Sequence, residues 1–167
     1  MELSKLFDKG PDMEQIGSTP QPKLKHKTFM YHTSLSWVEK RQGDITSEGK
    51  PIVRVSSPPE FKGEPGMWTP EDLFVAAVDT CTMTTFLAFA HRLNLPFASY
   101  TSNAEGSQEF TQGRYRFTKI VLRPTIGVTS ADAVDQVKHT LEDAHKSCLV
   151  SNSVKAAVTL EPTITVL

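Results

Sequence analysis

The two cysteines are the side chains of this sequence with the most distinctive chemistry. Cys81 lies deep within a long apolar segment that begins at Thr69-Pro70-Glu71, and Cys148 lies at the end of a second, amphipathic segment. Two thiols in such different settings, in a sequence without signs of export, favour thiol chemistry over a lasting structural disulfide. Two thiols are also too few for an all-cysteine zinc site.

A cysteine reacts as the thiolate, and only about 3% of an ordinary thiol is ionised at pH 7. Burial in an apolar helix raises the pKa further and leaves the thiol inert. Since no charged group shares the helical face of Cys81, a reactive Cys81 requires a cation from another element. The simpler interpretation is that Cys81 and Cys148 are small core residues.

The segment that carries Cys81 has the features of a long helix. Thr69 is a suitable N-cap, Pro70 fits the first helical position, and Asp72 completes a pattern like a capping box. The helix is expected to end near Asn94, before a proline. Because it is apolar on nearly all sides, it belongs in the middle of a fold or at an oligomer interface.

Strand patterns lie on both sides of this helix. They cover residues 28–37, 51–56, 97–110, 115–128 and 158–166, with a turn over 40–44. Gln112-Gly113 predicts a hairpin, and Pro162 predicts an edge or a bulge in the last strand. A second helix after Ser130 has an apolar stripe that Cys148 continues, so its thiol should point at the core or at the first helix. This order predicts an α+β domain with an antiparallel sheet packed on long central helices.

Length and charge narrow the class of protein. The chain has 167 residues and a formal net charge of −1, which gives no electrostatic case for nucleic acid or an anionic membrane. No apolar run approaches the ~20 residues that a membrane span needs. Residues 1–27 form a polar arm without the apolar core of a signal peptide, and 28–167 form one domain. A cytoplasmic location is therefore expected.

The cysteines lie in two motifs, WTPEDLFVAAVDTCTM around Cys81 and KSCLVSNSVKAAV around Cys148. Both motifs resemble those of the OsmC/Ohr family of hydroperoxide reductases. In that family a Pro-Glu pair opens the central helix ten residues before the reactive cysteine, and a Cys-x-Val-Ser segment carries the second cysteine. The resemblance covers residues 28–167 and implies an intertwined homodimer with active sites at the interface.

The resemblance also implies the chemistry. Cys81 would be the peroxidatic thiol, oxidised by an organic hydroperoxide to a sulfenic acid, and Cys148 the resolving thiol that condenses with it to a disulfide. An external dithiol would reduce the enzyme again, as part of an oxidative stress response, without a metal, haem or other cofactor. An organic substrate suits an apolar pocket, which would be lined by Met83, Phe86 and Phe89.

Glu71 matches the family's glutamate, but helix geometry separates it from Cys81 by about 15 Å. Either the chain is not yet helical at Glu71, or Glu71 serves the thiol of a partner subunit. It is otherwise an ordinary first-turn carboxylate favoured by the helix dipole. The family's glutamate holds an arginine that stabilises the thiolate, and here Arg41 and Arg54 are both candidates. The sequence leaves that choice open.

A different class of function remains open on the same scaffold. The chain would then be a non-catalytic OsmC-like module that binds an apolar small ligand between the two helices while both thiols stay reduced. The pKa of Cys81 distinguishes the two, since only a peroxidase needs the thiolate. His145 shares a helix face with Cys148, but no further ligand accompanies them at metal-binding spacing, so a metal site is not expected.

Overall fold

The computed structural model describes residues 27–167. Nearly all of the predicted arm, residues 1–26, lies outside the described part of the chain. Residues Thr33–Leu167 form one compact unit, which contains every helix and strand given below.

The first sheet is antiparallel and contains β1 (Ser34–Glu39), β2 (Gln42–Thr46) and β3 (Val53–Ser56) in that order. The first strand begins six residues later than predicted, at Ser34. The predicted turn over 40–44 is also wrong in its last three residues, which pair with β3. Lys40 adopts a φ of 43°, so a two-residue turn suffices. Gly43 instead allows the Leu35 side chain to approach the backbone of β2 closely, because a Cβ at this position would lie 3.0 Å from that side chain.

The central helix, α1 (Pro70–Leu93), begins and ends as predicted. The Thr69 hydroxyl accepts from the Asp72 N–H at 3.1 Å, and the Asp72 carboxylate accepts from the Thr69 N–H at 3.0 Å. This reciprocal pair is a capping box, which satisfies donors that a helix start leaves free. At the other end Asn94 takes the left-handed conformation and closes the helix.

α1 buries one narrow face and leaves much of its apolar surface exposed. The buried residues are Val78, Thr82, Phe86 and Ala90, spaced four apart. The helix has 24 residues, and the mean hydropathy of its most apolar window is 1.6, which is long and apolar enough for a membrane span. The expectation that no segment reaches this length was therefore wrong. These two criteria are also met by helices that pack within a fold, and α1 packs on α2 and β4.

The second sheet is built on a long hairpin, β4 (Phe97–Thr111) and β5 (Arg114–Val128). Its turn is at Gln112-Gly113, as predicted, where both residues have positive φ. β6 (Ala157–Leu160) and β7 (Thr163–Val166) both pair with β5 in parallel, so the sheet is mixed rather than purely antiparallel. The break between them contains Pro162, where the sequence predicted an irregularity.

The second helix, α2 (Val134–Ser147), follows a short 3-10 turn that Ser130 caps. Its buried residues are Val137, Thr140, Leu141 and Ala144. The three apolar residues among them pack with Phe86 of α1 and with the inner face of β5 in one core cluster. Cys148 directly follows α2 and is completely buried, which confirms the predicted direction of its side chain. The α+β architecture is therefore as expected.

We expect Thr69→Ala to lower the free energy of unfolding by about 1 kcal/mol, because it removes the cap acceptor from the Asp72 N–H. Urea denaturation at one fixed chain concentration measures the change. Thr69→Ser, which keeps the hydroxyl, is the control and should lie close to the original chain. Equal stability of the alanine and serine variants would show that the capping box contributes nothing.

Candidate functional site

The two cysteines meet where α1 packs against the end of α2. Cys81 lies halfway along α1 and is partly exposed, whereas Cys148 is 0% exposed. Both thiols are free, and each shifts the pKa of the other, so the two side chains are neighbours. The structure therefore brings together the two residues that the sequence singled out, although they are 67 positions apart.

The chain that follows α2 points backbone donors at both sulfurs. The Asn152 N–H donates to the carbonyl of Cys148 at 3.0 Å, and the Ser153 N–H donates to that of Val150 at 2.9 Å, which closes a 3-10 turn, Ser151–Ser153. The Ser151 N–H then donates to the Cys148 Sγ at 3.5 Å. The Val150 N–H interacts with the thiol of Cys81. Backbone N–H groups at a sulfur favour its thiolate form.

Three hydroxyl side chains complete this environment, and the sequence analysis assigned no role to any of them. The buried Thr82 hydroxyl donates to the Val78 carbonyl at 3.1 Å and also lies beside Cys148. Thr85 similarly lies beside Cys81. The Ser151 hydroxyl is buried beside Cys148 and has no hydrogen-bond partner of good geometry among the described residues. Of the three, only Ser151 could have been identified from the sequence, as the serine of the Cys-x-Val-Ser segment.

The two thiols differ in acidity. Burial raises the pKa of Cys81 above its ordinary value, and the Val150 N–H offsets only part of that effect. Burial is the largest influence on Cys148 and acts against its thiolate, but the hydroxyl and N–H of Ser151, together with Thr82 and Cys81, outweigh it, and the pKa of Cys148 is lowered. Within one chain, then, the accessible thiol is the weaker acid and the buried thiol is the stronger one.

No arginine activates Cys81 within the described chain. The contributors to its pKa are burial, Val150, Cys148 and Thr85, none of which is cationic. Arg54 forms an ion pair with Asp44 through two contacts, one of them at 3.2 Å. The Arg41 side chain, in the turn between β1 and β2, has no hydrogen-bond or ion-pair partner among residues 27–167.

Glu71 is helical and remote from the thiol of its own chain. It lies in the first turn of α1, which runs without a break past Cys81. The alternative in which the chain is not yet helical at Glu71 is therefore wrong. One carboxylate oxygen, Oε2, is buried without a hydrogen-bond partner in the described part of the chain. Since such an oxygen is costly to leave unpaired, it indicates a donor from outside these residues.

An open groove of about 620 Å³ lies beside Glu71. It runs between the loop before α1 and the hairpin of β4 and β5. Its lining residues are Pro58, Pro59, Glu60, Phe61, Met67, Thr69, Glu71, Asp72, Gly106, Gln108, Tyr115 and Phe117. The ring of Tyr115 contacts those of Phe61 and Phe110 edge-on. The groove thus combines an apolar wall with one unpaired carboxylate oxygen.

The three residues that the sequence analysis named for a substrate pocket, Met83, Phe86 and Phe89, do not line this groove. Phe86 is completely buried and its ring contacts Phe97 and Tyr100, so this residue belongs to the core. Neither Met83 nor Phe89 lines the groove beside Glu71. A fully apolar helix offers several such candidates, and only the packing shows which of them face the core.

No metal-binding group is found within residues 27–167, where no cluster of three or more His, Cys, Asp or Glu side chains could hold an ion. The Nδ1 atom of His145 is buried without a partner in this range. His145 and Cys148 therefore do not form part of a larger ligand set among the described residues.

Comparison with known proteins places these features in a family. Residues 63–163 match the model of the family described as OsmC-like protein. The uncharacterized protein YmaD of Bacillus subtilis (strain 168) is 28% identical over 136 residues, which are 78% of this chain and 90% of that protein.

Two solved structures have the same fold. An OsmC-like protein of unknown function from Vibrio cholerae O1 biovar eltor has a TM-score of 0.74 and 27% identity, over 81% of this chain and 99% of that one. The organic hydroperoxide resistance protein OsmC of Legionella pneumophila has a TM-score of 0.65 and 21% identity, over 83% and 99%.

Because the thiols are in contact, we expect the thiol oxidant diamide to convert the reduced chain rapidly into a form with one Cys81–Cys148 disulfide. Intact-mass spectrometry would show the loss of two hydrogens, and peptide mapping would show the link. Cys81→Ser and Cys148→Ser are the controls, and each should prevent the intramolecular bond. Disulfides only between chains would contradict the geometry.

Proposed function

The chain belongs to the OsmC-like protein family, and we propose that it is a peroxidase that reduces organic hydroperoxides with two thiols. The observation that carries this proposal is the contact between a partly exposed Cys81 and a buried Cys148. Such a pair suits a peroxidatic thiol that a substrate can reach and a resolving thiol beside it. The name of the Legionella pneumophila neighbour, an organic hydroperoxide resistance protein, supports the substrate class.

The proposed oxidation has two steps. The Cys81 thiolate attacks the outer oxygen of the hydroperoxide, the O–O bond breaks, and the alkoxide leaves as an alcohol after it takes a proton. The resulting sulfenic acid is then attacked by Cys148, which displaces water and forms the disulfide. The two thiols supply the two electrons. The N–H of Val150, beside the Cys81 sulfur, would help to hold the negative charge of its thiolate.

The first step needs a cation that a single described chain does not provide, because burial raises the pKa of Cys81. We therefore propose a homodimer in which Glu71 and Arg41 of one subunit act at the thiols of the other. Glu71 has a buried oxygen free for a donor, and Arg41 is the candidate without an ion-pair partner in the described chain. The Arg41 carbonyl accepts from the Ser57 N–H at 3.3 Å, which fixes this turn beside the loop that lines the groove.

Exposed apolar side chains on β1 and α1 are consistent with this assembly. Trp37 on β1 is 76% exposed, and Leu87 and Leu93 of α1 are also exposed. The interface of a homodimer would bury such side chains. The cytoplasm, a reducing compartment, would supply the external dithiol that returns the disulfide to two thiols.

The proposal predicts rapid oxidation of the reduced protein by one equivalent of cumene hydroperoxide, with the loss of two hydrogens by intact-mass spectrometry. Cys148→Ser should stop at a sulfenic acid on Cys81, and Cys81→Ser should lose the fast reaction. An unchanged mass over minutes would refute the peroxidase and favour the alternative of an apolar-ligand module.

We further expect Glu71→Gln to slow the oxidation of Cys81 roughly 10- to 100-fold, because the neutral amide replaces the charge that strengthens the hydrogen bond to the arginine. Stopped-flow measurement with cumene hydroperoxide gives the rate constant. The control is Glu60→Gln, which removes a carboxylate from the same groove and should change the rate little. Equal effects of the two substitutions would contradict the role given to Glu71.

A further inference from the structure

We propose that the external dithiol attacks the Cys81 sulfur of the disulfide and that Cys148 leaves as a thiolate held by Ser151. This makes Ser151 a catalytic residue of the reductive half of the reaction. The inference rests on the proposed function in that it assigns the order of bond breaking in the step that restores the two thiols.

Access to the sulfurs decides which of them is attacked. Cys148 is 0% exposed and lies beneath the turn that follows α2, whereas Cys81 is partly exposed. Thiol–disulfide exchange requires the incoming thiolate to reach the sulfur that it attacks. Only Cys81 meets this requirement in the described fold.

The surroundings of Cys148 suit a leaving thiolate. The N–H of Ser151 already donates to its Sγ at 3.5 Å. The Ser151 hydroxyl is buried without a partner among the described residues, so its proton is available when the sulfur becomes an anion. A leaving thiol of lower pKa departs faster, and the pKa of Cys148 is lowered.

Ser151 is favoured over Thr82 for this role. The Thr82 hydroxyl donates its single proton to the Val78 carbonyl at 3.1 Å, so that proton is already engaged. The Ser151 hydroxyl has no such competing acceptor within residues 27–167, and its backbone N–H contacts the same sulfur. Ser151 therefore offers two donors to one atom.

The step is balanced as follows. The thiolate of a dithiol attacks the Cys81 sulfur, the S–S bond breaks, and the electron pair leaves on Cys148. This gives a mixed disulfide on Cys81. The second thiol of the dithiol then attacks the reductant's own sulfur and expels the Cys81 thiolate. The dithiol is oxidised by two electrons and ends as a cyclic disulfide, and its two protons pass to the cysteines.

The kinetic test uses protein oxidised with diamide, so it does not depend on any reaction with a hydroperoxide. We expect Ser151→Ala to slow reduction of the disulfide by dithiothreitol roughly 10- to 100-fold. Ser151→Thr, which keeps the hydroxyl, should be reduced at a rate within about threefold of that of the original protein. This difference is much smaller than the loss expected when a donor to a charged sulfur is removed. Ser153→Ala is the matched control, because that hydroxyl lies in the same turn and donates to the Leu149 carbonyl at 2.8 Å.

A rate for Ser151→Ala equal to that of the original protein would overturn the role of Ser151. In a Cys81→Ser background, Ser151→Ala should also raise the pKa of Cys148, measured from thiolate absorbance, while Ser153→Ala should not. A purely structural role of the turn would affect both serine variants alike.

The order of attack is tested by trapping. Diamide-oxidised protein is mixed with a large excess of the monothiol 2-mercaptoethanol, quenched in acid, alkylated and mapped by mass spectrometry. The adduct should lie on Cys81 and the alkyl group on Cys148. An adduct on Cys148, or none on Cys81, would overturn the assigned order. Failure of the hydroperoxide reaction alone would refute the proposed function and leave this result standing.

Discussion

The contact between the middle of α1 and the end of α2 is the interaction on which the site depends. It buries the apolar stripe of α2 against Phe86 and brings Cys148 to Cys81. The same contact places the following turn so that the N–H groups of Val150 and Ser151 reach the two sulfurs. Core packing and thiol chemistry therefore share the same residues, and a change that separates the helices would affect both.

A peroxidatic cysteine must be both accessible and acidic, but in the single chain these two properties belong to different cysteines. Cys81 is accessible but weakly acidic, and Cys148 is acidic but buried. This division explains why a second subunit is central to the proposed function, since the missing cation must come from outside the chain. It also gives Cys148 a defined use, because an acidic and protected sulfur is a good leaving group.

The sequence predicted those features that depend on local pattern. The capping box at Thr69, the end of α1 at Asn94 and the hairpin at Gln112-Gly113 follow from residue type alone, and the stripe of α2 predicted the direction of Cys148. The parallel pairing of β6 and β7 was not predicted, because it depends on where the chain returns after α2.

The acidity of the two thiols could not be predicted from the sequence either. It depends on hydroxyl and N–H donors from several elements that only the fold brings together.

The most direct measurement is the pKa of Cys81 in Cys148→Ser, from the pH dependence of its alkylation by iodoacetamide, at high and at low chain concentration. The account predicts a pKa below the ordinary thiol value where the chains are paired, and a rise above it on dilution. At pH values between the two, Cys81 would be thiolate only in the assembled protein. A pKa above the ordinary value at every concentration would contradict activation of Cys81 by a second subunit.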